Sequence, residues 1–127
     1  MGNKVIIAED SSIIKSIFQK ILSTHNFHIT SAKNGEEVLN HIEKDSFDVI
    51  LMDINMPVMD GITCTQQIRN NDDPKKSKLP IIGISGNPNN HTKEYYLSVG
   101  FTDFVEKPIN YDHVVRLIKE VTNSNGN

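Results

Sequence analysis

The stretch FDVILMDINMPVMDG, residues 47–61, decides the fold of this chain. Its apolar run ends at Asp53, and a continuous run rich in β-branched residues is typical of a strand buried on both faces. Because an unpaired buried carboxylate is costly, we expect Asp53 at the carboxyl end of that strand. Pro57 cannot continue a strand, and Gly61 turns the chain into the next helix. Ligands bind at this edge of open parallel sheets, although the stretch alone fits a simple turn cap equally well.

Short apolar runs alternate with segments of helical periodicity along the rest of the chain. The pattern predicts five strands, each followed by a helix: Lys4–Ala8, Phe27–Ala32, Asp48–Asp53, Leu79–Ser85 and Thr102–Glu106. This alternation implies right-handed crossovers and a parallel sheet with helices on both faces. The second strand is the least apolar and suits an edge position. The predicted fold is therefore α/β, a flavodoxin-like doubly wound five-stranded parallel sheet of order 2-1-3-4-5 with five helices.

Length and composition fit one domain over residues 1–127, with a core at about 4–122 and a frayed tail at 123–127. No apolar run reaches the roughly 20 residues that a membrane span needs. The net charge of −3, with no basic cluster beyond Lys75–Lys78, disfavours direct nucleic-acid binding. Cys64 is the single cysteine, so no internal disulfide can form, and we expect a cytoplasmic protein.

Polar side chains follow or end four of the predicted strands. Glu9 and Asp10 follow the first strand, Asp53 ends the third, Ser85 ends the fourth and Lys107 follows the fifth. The ends of parallel strands lie along one edge, so these groups are expected to converge. Clustered carboxylates raise one another's pKa unless a cation is present, and oxygen ligands without His or Cys suit Mg²⁺, with Mn²⁺ as a possible substitute. An Asp beside Mg²⁺ and Lys can accept a phosphoryl group; a set of unrelated helix caps is the alternative.

With these features in this order, the chain resembles the receiver domains of two-component response regulators. The matching parts are the acidic pair Glu9-Asp10, the segment VILMDINMPVMDG at 49–61, Ser85 after an apolar strand, and FVEKP at 104–108. The resemblance covers residues 4–122. It implies a signalling domain that promotes only its own phosphorylation and dephosphorylation and is not otherwise an enzyme.

The resemblance also implies a role for each matching residue. Asp53 would take a phosphoryl group from a phosphohistidine donor, either a histidine kinase or a histidine-phosphotransfer protein. The carboxylates of Asp10 and Asp53 and the carbonyl of Asn55 would bind Mg²⁺, with Glu9 acting through water. Two further residues would contact the phosphoryl oxygens, Ser85 through a hydrogen bond and Lys107 as an ion pair.

The resemblance further implies a conformational switch at Phe104 and a cis peptide bond before Pro108. Phe104 stands where Tyr is frequent in the family, Gly86 where Ala is usual, and Ser85 where Thr is commoner. We expect Ser85 to move toward a phosphoryl group and Phe104 to fill the space behind it. Because the Phe104 ring has no hydroxyl to desolvate, we expect a leaky two-state equilibrium in which the inward state is populated even without phosphate. The helix around Thr92–Val99 should shift with it, which makes residues 91–111 the expected output surface.

The first predicted helix carries more apolar surface than one buried stripe requires. Six large apolar residues span about half of its circumference, whereas a helix on a sheet needs a stripe only somewhat wider than about 100°. Ile13 and Ile17 lie at the edge of this arc, next to the candidate site. We expect both to be partly exposed and to dock a helical histidine-phosphotransfer domain or kinase bundle, although complete burial of both is the simpler alternative.

Two other functions fit parts of the pattern. A haloacid-dehalogenase-type phosphatase uses an Asp after a buried strand with Mg²⁺, but needs a second Asp where this chain has Asn55. A flavodoxin-type cofactor site needs a Gly- and hydroxyl-rich loop, whereas the charges of Glu9 and Asp10 would repel a cofactor phosphate. A stand-alone regulator and a receiver from a larger hybrid histidine kinase both remain open.

Overall fold

The computed structural model describes residues 3–86 and 91–126. The strands are β1 (Lys4–Ala8), β2 (His28–Ala32), β3 (Val49–Asp53), β4 (Ile81–Ser85) and β5 (Asp103–Glu106). The helices are α1 (Ser12–Thr24), α2 (Gly35–Lys44), α3 (Gly61–Arg69), α4 (Pro74–Ser77), α5 (Lys93–Val99) and α6 (Tyr111–Gly126). The turn predicted after Gly86 falls at residues 87–90, outside the described ranges.

The five strands form one parallel sheet in the order β2-β1-β3-β4-β5, which confirms the predicted topology. The register pairs Ala8 of β1 with Met52 of β3, and Asp53 of β3 with Ile84 of β4. The carboxyl ends of the three central strands therefore lie side by side. Asp53 is at this edge, as the sequence predicts for a charged residue that ends a buried strand.

The sheet has an apolar core on each face because side chains alternate along a strand. In β1, Val5 and Ile7 pack on the face covered by α1 and α6, while Ile6 and Ala8 pack on the opposite face. Fully buried residues on both faces explain why the central strands read as continuous apolar runs rather than alternating ones.

Side-chain caps start the helices next to the sheet edge that carries Asp53. The Ser11 hydroxyl accepts from the amide of Ile14 at 3.4 Å, and the Asp60 carboxylate accepts from the amide of Thr63 at 2.7 Å. Each cap satisfies an amide that has no partner within its helix. These local bonds fix where the chain leaves each loop and enters the next helix.

One feature differs from the sequence-based expectation. The loop after α3 contains the four-residue helix α4, so the described residues include a sixth, short helix. Asp73 caps it through the amide of Lys75 at 2.9 Å, and Pro74 occupies its first turn, a combination that favours helix initiation. Within residues 3–86 and 91–126, no helix is long and apolar enough to cross a membrane.

Candidate functional site

Asp53 lies in a recess at the end of β3, with only 3% of its surface exposed. The next seven residues, 54–60, form a loop, and a 2.9 Å bond from the Gly61 amide to the Ile54 carbonyl closes it. A Cβ at Gly61 would lie 2.4 Å from the Asp53 carbonyl oxygen, so only glycine lets α3 start this close to β3. The loop also brings the Asn55 amide to 3.4 Å from Asp53 Oδ1. The backbone thus fixes the Asp53 carboxylate.

Glu9 and Lys107, which directly follow β1 and β5, lie near the Asp53 carboxylate. Lys107 Nζ is 3.8 Å from Asp53 Oδ2 and 3.7 Å from Glu9 Oε1. Glu9 is 3% exposed, and its other oxygen accepts from the amide of Ser11 at 2.9 Å. Two buried carboxyl groups therefore share one partly exposed ammonium group. One positive charge cannot balance both of them when they are ionised.

The surroundings of Asp53 raise the pKa of its carboxyl group. Burial raises the pKa of Asp53 from 3.8 to about 7, and the negative charge of Glu9 together with a hydrogen bond to its carboxyl adds to the rise. Lys107 and the Asn55 amide act in the opposite direction but do not cancel it. The raised pKa shows that the recess disfavours the ionised form of Asp53, and a cation bound there would favour it.

The donor set fits a hard divalent cation. Glu9 Oε1 is buried and accepts no hydrogen bond, so it is an oxygen ligand without a full partner. Asp10 and Asn55 are both exposed at the same edge of the sheet. Among the described residues, no three His, Cys, Asp or Glu side chains are grouped closely enough to form a metal site by themselves. A cation here would therefore depend on a main-chain carbonyl and water as well as carboxylates, as Mg²⁺ commonly does.

Ser85 and Lys107 are held next to each other at the ends of β4 and β5. The Ser85 side chain is buried, and its carbonyl accepts from the amide of Lys107 at 2.8 Å. The peptide bond between Lys107 and Pro108 is cis. A Cβ at Gly86 would lie 3.3 Å from Lys107 Cδ, so the missing side chain leaves room beside the lysine stem. The backbone bond therefore places the residue with the hydroxyl beside the residue with the ammonium group that contacts Asp53.

Phe104 lies inward, with 7% of its surface exposed. Its ring stacks on Tyr96 of α5, with 4.2 Å between ring centroids and 11° between ring planes. Gly83 of β4 pairs with Phe104, and a Cβ there would lie 2.8 Å from the Phe101 ring and 3.2 Å from the Phe104 ring. Sequence reasoning missed Tyr96 and Gly83, although a glycine inside an apolar strand indicates close approach by a neighbour. Tyr96 is the one buried residue of α5, so this stack anchors the helix.

The apolar arc of α1 is only partly buried. Phe18 and Leu22 are fully buried, and Ile14 and Ile21 pack against the same core. Ile13 is 72% exposed and Ile17 is half-buried. The edge of the arc nearest the Asp53 recess therefore presents apolar surface to solvent, which excludes complete burial of both residues.

Taken residue by residue, the described structure brings Glu9, Asp53 and Lys107 into one cluster and places Ser85 beside Lys107. Asp10 and Asn55 are exposed at the same edge. Chemically, the arrangement offers a recessed carboxylate nucleophile, a neighbouring ammonium group and hydroxyl, and oxygen ligands for a cation.

Comparisons with known proteins match this geometry. The sequence profile of the response regulator receiver domain matches residues 5–119. The chain is 36% identical over 120 residues to the hybrid signal transduction histidine kinase M of Dictyostelium discoideum, an alignment that covers 92% of this chain and 5% of the kinase. The chain spans 5–17% of the length of the first three curated relatives that it matches.

Solved structures share the fold over nearly the whole chain. The receiver domain of the sensor histidine kinase PA1611 from Pseudomonas aeruginosa PAO1, solved with a magnesium ion coordinated in its active site cleft, has a TM-score of 0.85 at 24% identity, covering 97% of this chain and 99% of that one. The chemotaxis response regulator CheY4 of Vibrio cholerae has a TM-score of 0.83 at 28% identity, covering 95% of this chain and 99% of that one.

Proposed function

Because this chain belongs to the response regulator receiver domain family, the phosphoacceptor domain of two-component systems, we propose that Asp53 is the residue that accepts the phosphoryl group. The observation that carries the proposal is the recessed Asp53 carboxylate at the end of β3, held between Glu9 and Lys107. Glu9 is also buried, bonded to a backbone amide and close to the same ammonium group, so the choice of Asp53 depends on its place at the end of the central strand β3.

The proposed reaction is a transfer from a phosphohistidine of a partner protein. An Asp53 carboxylate oxygen forms a bond to phosphorus while the bond from phosphorus to the histidine nitrogen breaks, and the imidazole leaves with its electron pair. The Lys107 ammonium group forms an ion pair with the incoming phosphoryl group, and the Ser85 hydroxyl donates a hydrogen bond to a phosphoryl oxygen. The products are an aspartyl phosphate and a free histidine.

Glu9, Asp10, Asp53 and the Asn55 carbonyl are the groups that would hold Mg²⁺, or Mn²⁺ in its place. A bound divalent cation supplies positive charge for the phosphoryl oxygens. The lack of a hydrogen bond to Glu9 Oε1 and the raised pKa of Asp53 support this assignment, because a cation would relieve both. The magnesium ion in the cleft of the PA1611 receiver domain gives it further support.

Phosphorylation is proposed to act through Ser85, Phe104 and α5. The charge at Asp53 draws Ser85 and Lys107 toward it, and the stack of Phe104 on Tyr96 transmits the change to α5. Residues 91–111 then form the output surface. The inward ring of Phe104 supports the expectation that this switch is partly on without phosphate.

The proposed phosphoryl donor is a histidine kinase or a histidine-phosphotransfer protein that docks on Ile13 and Ile17. Their exposed apolar surface beside the recess supports this assignment. The chain is proposed to act in the cytoplasm as one domain with a core at about 4–122, either as a stand-alone regulator or within a hybrid kinase. Since Asn55 cannot serve as a general acid, turnover of small phosphate esters by a phosphatase mechanism should be undetectable.

The decisive experiment is mass spectrometry after incubation with acetyl phosphate and Mg²⁺. One phosphoryl group should be added to the wild-type chain, none to Asp53→Asn, and none after removal of divalent cations by EDTA. Full labelling of Asp53→Asn would contradict the assignment. Ile13→Glu should slow transfer from a protein donor and leave acetyl phosphate labelling intact, whereas equal loss with both donors would indicate misfolding.

A further inference from the structure

A cavity of about 380 Å³, here called the amino-edge cavity, lies at the edge of the sheet opposite Asp53. It opens between residues 45–48, which lead into β3, and residues 73–80, which contain α4 and lead into β4. Its volume falls within the range of small-molecule pockets, about 300–1,000 Å³. None of the residues that line it belongs to the cluster around Asp53, so the proposed function does not account for it.

The floor of the amino-edge cavity is apolar and recessed. Ile42 and Leu79 line it and are only 2% and 5% exposed, so they form the bottom of a recess rather than a raised patch. Phe47 lines it as well, is half-buried and packs against the same core. The Lys4 ammonium lies 5.1 Å from the centre of the Phe47 ring, a cation–π contact that helps to hold the ring in place. A small planar group can reach this floor, whereas the surface of a folded protein would contact only the rim.

The rim of the amino-edge cavity carries ammonium groups that have no carboxylate partner. Lys75, Lys76 and Lys78 all line the cavity. Within the described ranges, none of the three forms an ion pair. Lys75 and Lys78 are exposed and Lys76 is half-buried, so their positive charges border the recess without being part of its floor.

Three carboxylates also line the amino-edge cavity, but each is already bonded within the protein. The Asp45 carboxylate forms an ion pair with the Lys4 side chain, and Asp48 Oδ2 accepts from the Lys4 amide at 2.7 Å. Asp73 Oδ1 accepts from the Lys75 amide at 2.9 Å as the cap of α4. The ammonium groups of the rim are therefore the charged groups left to contact a ligand, and they favour a negative one.

We propose that the amino-edge cavity binds a small aromatic anion, whose ring packs on the floor formed by Ile42, Phe47 and Leu79 and whose acidic group contacts the ammonium groups of the rim. The apolar floor supplies most of the affinity, and the rim selects the charge. A lysine ammonium group is a point charge without the fixed fork of an arginine, so a carboxylate, a sulfonate or a phosphate satisfies it. The inference does not depend on the phosphoacceptor assignment, because the cavity and Asp53 lie at opposite ends of β3.

The test titrates the nitrogen-labelled chain with three probes that separate the two parts of the ligand. Naphthalene-2-sulfonate carries a ring and a negative charge, 2-naphthol carries the ring without the charge, and methanesulfonate carries the charge without the ring. Naphthalene-2-sulfonate should cause saturable shifts of backbone amide resonances in residues 45–48 and 73–80, with a Kd of about 1 mM or lower. 2-Naphthol should bind about fivefold to tenfold more weakly, and methanesulfonate should not saturate the shifts below about 20 mM.

Two exposed lysines of the rim provide a variant that leaves the floor intact. Lys75→Gln/Lys78→Gln should raise the Kd of naphthalene-2-sulfonate by about threefold to fivefold and leave that of 2-naphthol within about twofold. Lys20→Gln/Lys119→Gln is the matched control, since it removes the same charge from exposed positions on α1 and α6 and should change either Kd by less than about twofold. Both variants should unfold in urea near the wild-type midpoint, because each replaces only exposed side chains.

The proposal is wrong if naphthalene-2-sulfonate causes no saturable shifts up to about 10 mM, or if its shifts lie outside the amino-edge cavity. Equal Kd values for naphthalene-2-sulfonate and 2-naphthol would overturn it, because the rim would then not select charge. Methanesulfonate binding as tightly as naphthalene-2-sulfonate would overturn it too, since the floor would then have no role. Asp53→Asn should bind naphthalene-2-sulfonate with the wild-type Kd, so failure of this site and failure of the phosphoacceptor assignment are separate results.

Discussion

Replacing Asp53 by Asn should stabilise the metal-free protein, and the gain should grow with pH. The reason is the pKa of the Asp53 carboxyl, which burial and Glu9 raise from 3.8 to about 7. A group with a raised pKa in the folded state contributes stability that is fully present below its unfolded pKa and lost as pH rises through its folded pKa. The wild-type chain therefore loses stability between about pH 4 and about pH 7, while the Asn variant lacks this loss.

The size of the effect follows from the shift. The pKa of Asp53 rises by about 3, and each pKa unit is equivalent to about 1.36 kcal/mol. The free energy of unfolding can therefore fall by at most about 4 kcal/mol across this pH range. Solvent screening and the nearby Lys107 ammonium reduce the effective value to roughly half. About two thirds of the range from about pH 4 to about pH 7 lies above about pH 5. The stabilisation by Asp53→Asn should therefore be about 1 kcal/mol larger at about pH 8 than at about pH 5.

The measurement is urea unfolding in EDTA at these two pH values. Comparing the two pH values cancels the change in local packing, which is the same at both, and the five histidines are common to both proteins. Lys107→Met gives a control of opposite sign, because it removes the cation shared by Glu9 and Asp53 and should cost more stability at the higher pH. A stabilisation by Asp53→Asn that is equal at both pH values, or that reverses at the higher one, would refute the reasoning.

Three further predictions concern parts of the fold around the site. Arg69→Met should lower the free energy of unfolding in urea by about 2–3 kcal/mol, and Arg69→Lys should lower it less, because the guanidinium donates to three main-chain carbonyls at 2.7–2.8 Å. A loss under about 0.5 kcal/mol would show that those carbonyls do not depend on Arg69. Gly61→Ala should lower the free energy of unfolding by more than about 2 kcal/mol, since its Cβ would lie 2.4 Å from a carbonyl oxygen. The Cβ of Gly86→Ala would lie 3.3 Å from a flexible lysine stem, so this variant should change the free energy of unfolding by less than about 0.5 kcal/mol. Equal effects of the two variants would contradict the geometric argument. Beryllofluoride with Mg²⁺ should shift backbone amide resonances across residues 91–111; shifts confined to the loops that carry Glu9, Asp53 and Ser85 would mean that the domain relays phosphate without a conformational signal.

The placement of Asp53 at the edge of the sheet could be predicted from the sequence because it depends on local patterns. A run of apolar residues that ends in a carboxylate indicates both the buried strand and its end, and Ser11 and Asn34 indicate helix starts through bonds to amides three residues away. The order of the strands followed from their alternation with helices and from the weak second strand. Each strand and helix start is indicated by a short local pattern, so periodicity and capping are enough to reveal it.

The sequence alone thus determined the fold class, the strand order and the set of polar groups at one edge of the sheet. Only the tertiary structure decided which of those groups touch: it buries Glu9 against Lys107, leaves Asp10 in solvent, and stacks Tyr96 on Phe104. It also decided the left-handed conformation of Val58, which follows from bonds made by the rest of the loop. The physical reason is that these contacts join residues far apart in the chain or depend on how a whole loop closes, and no local periodicity records the packing that selects them.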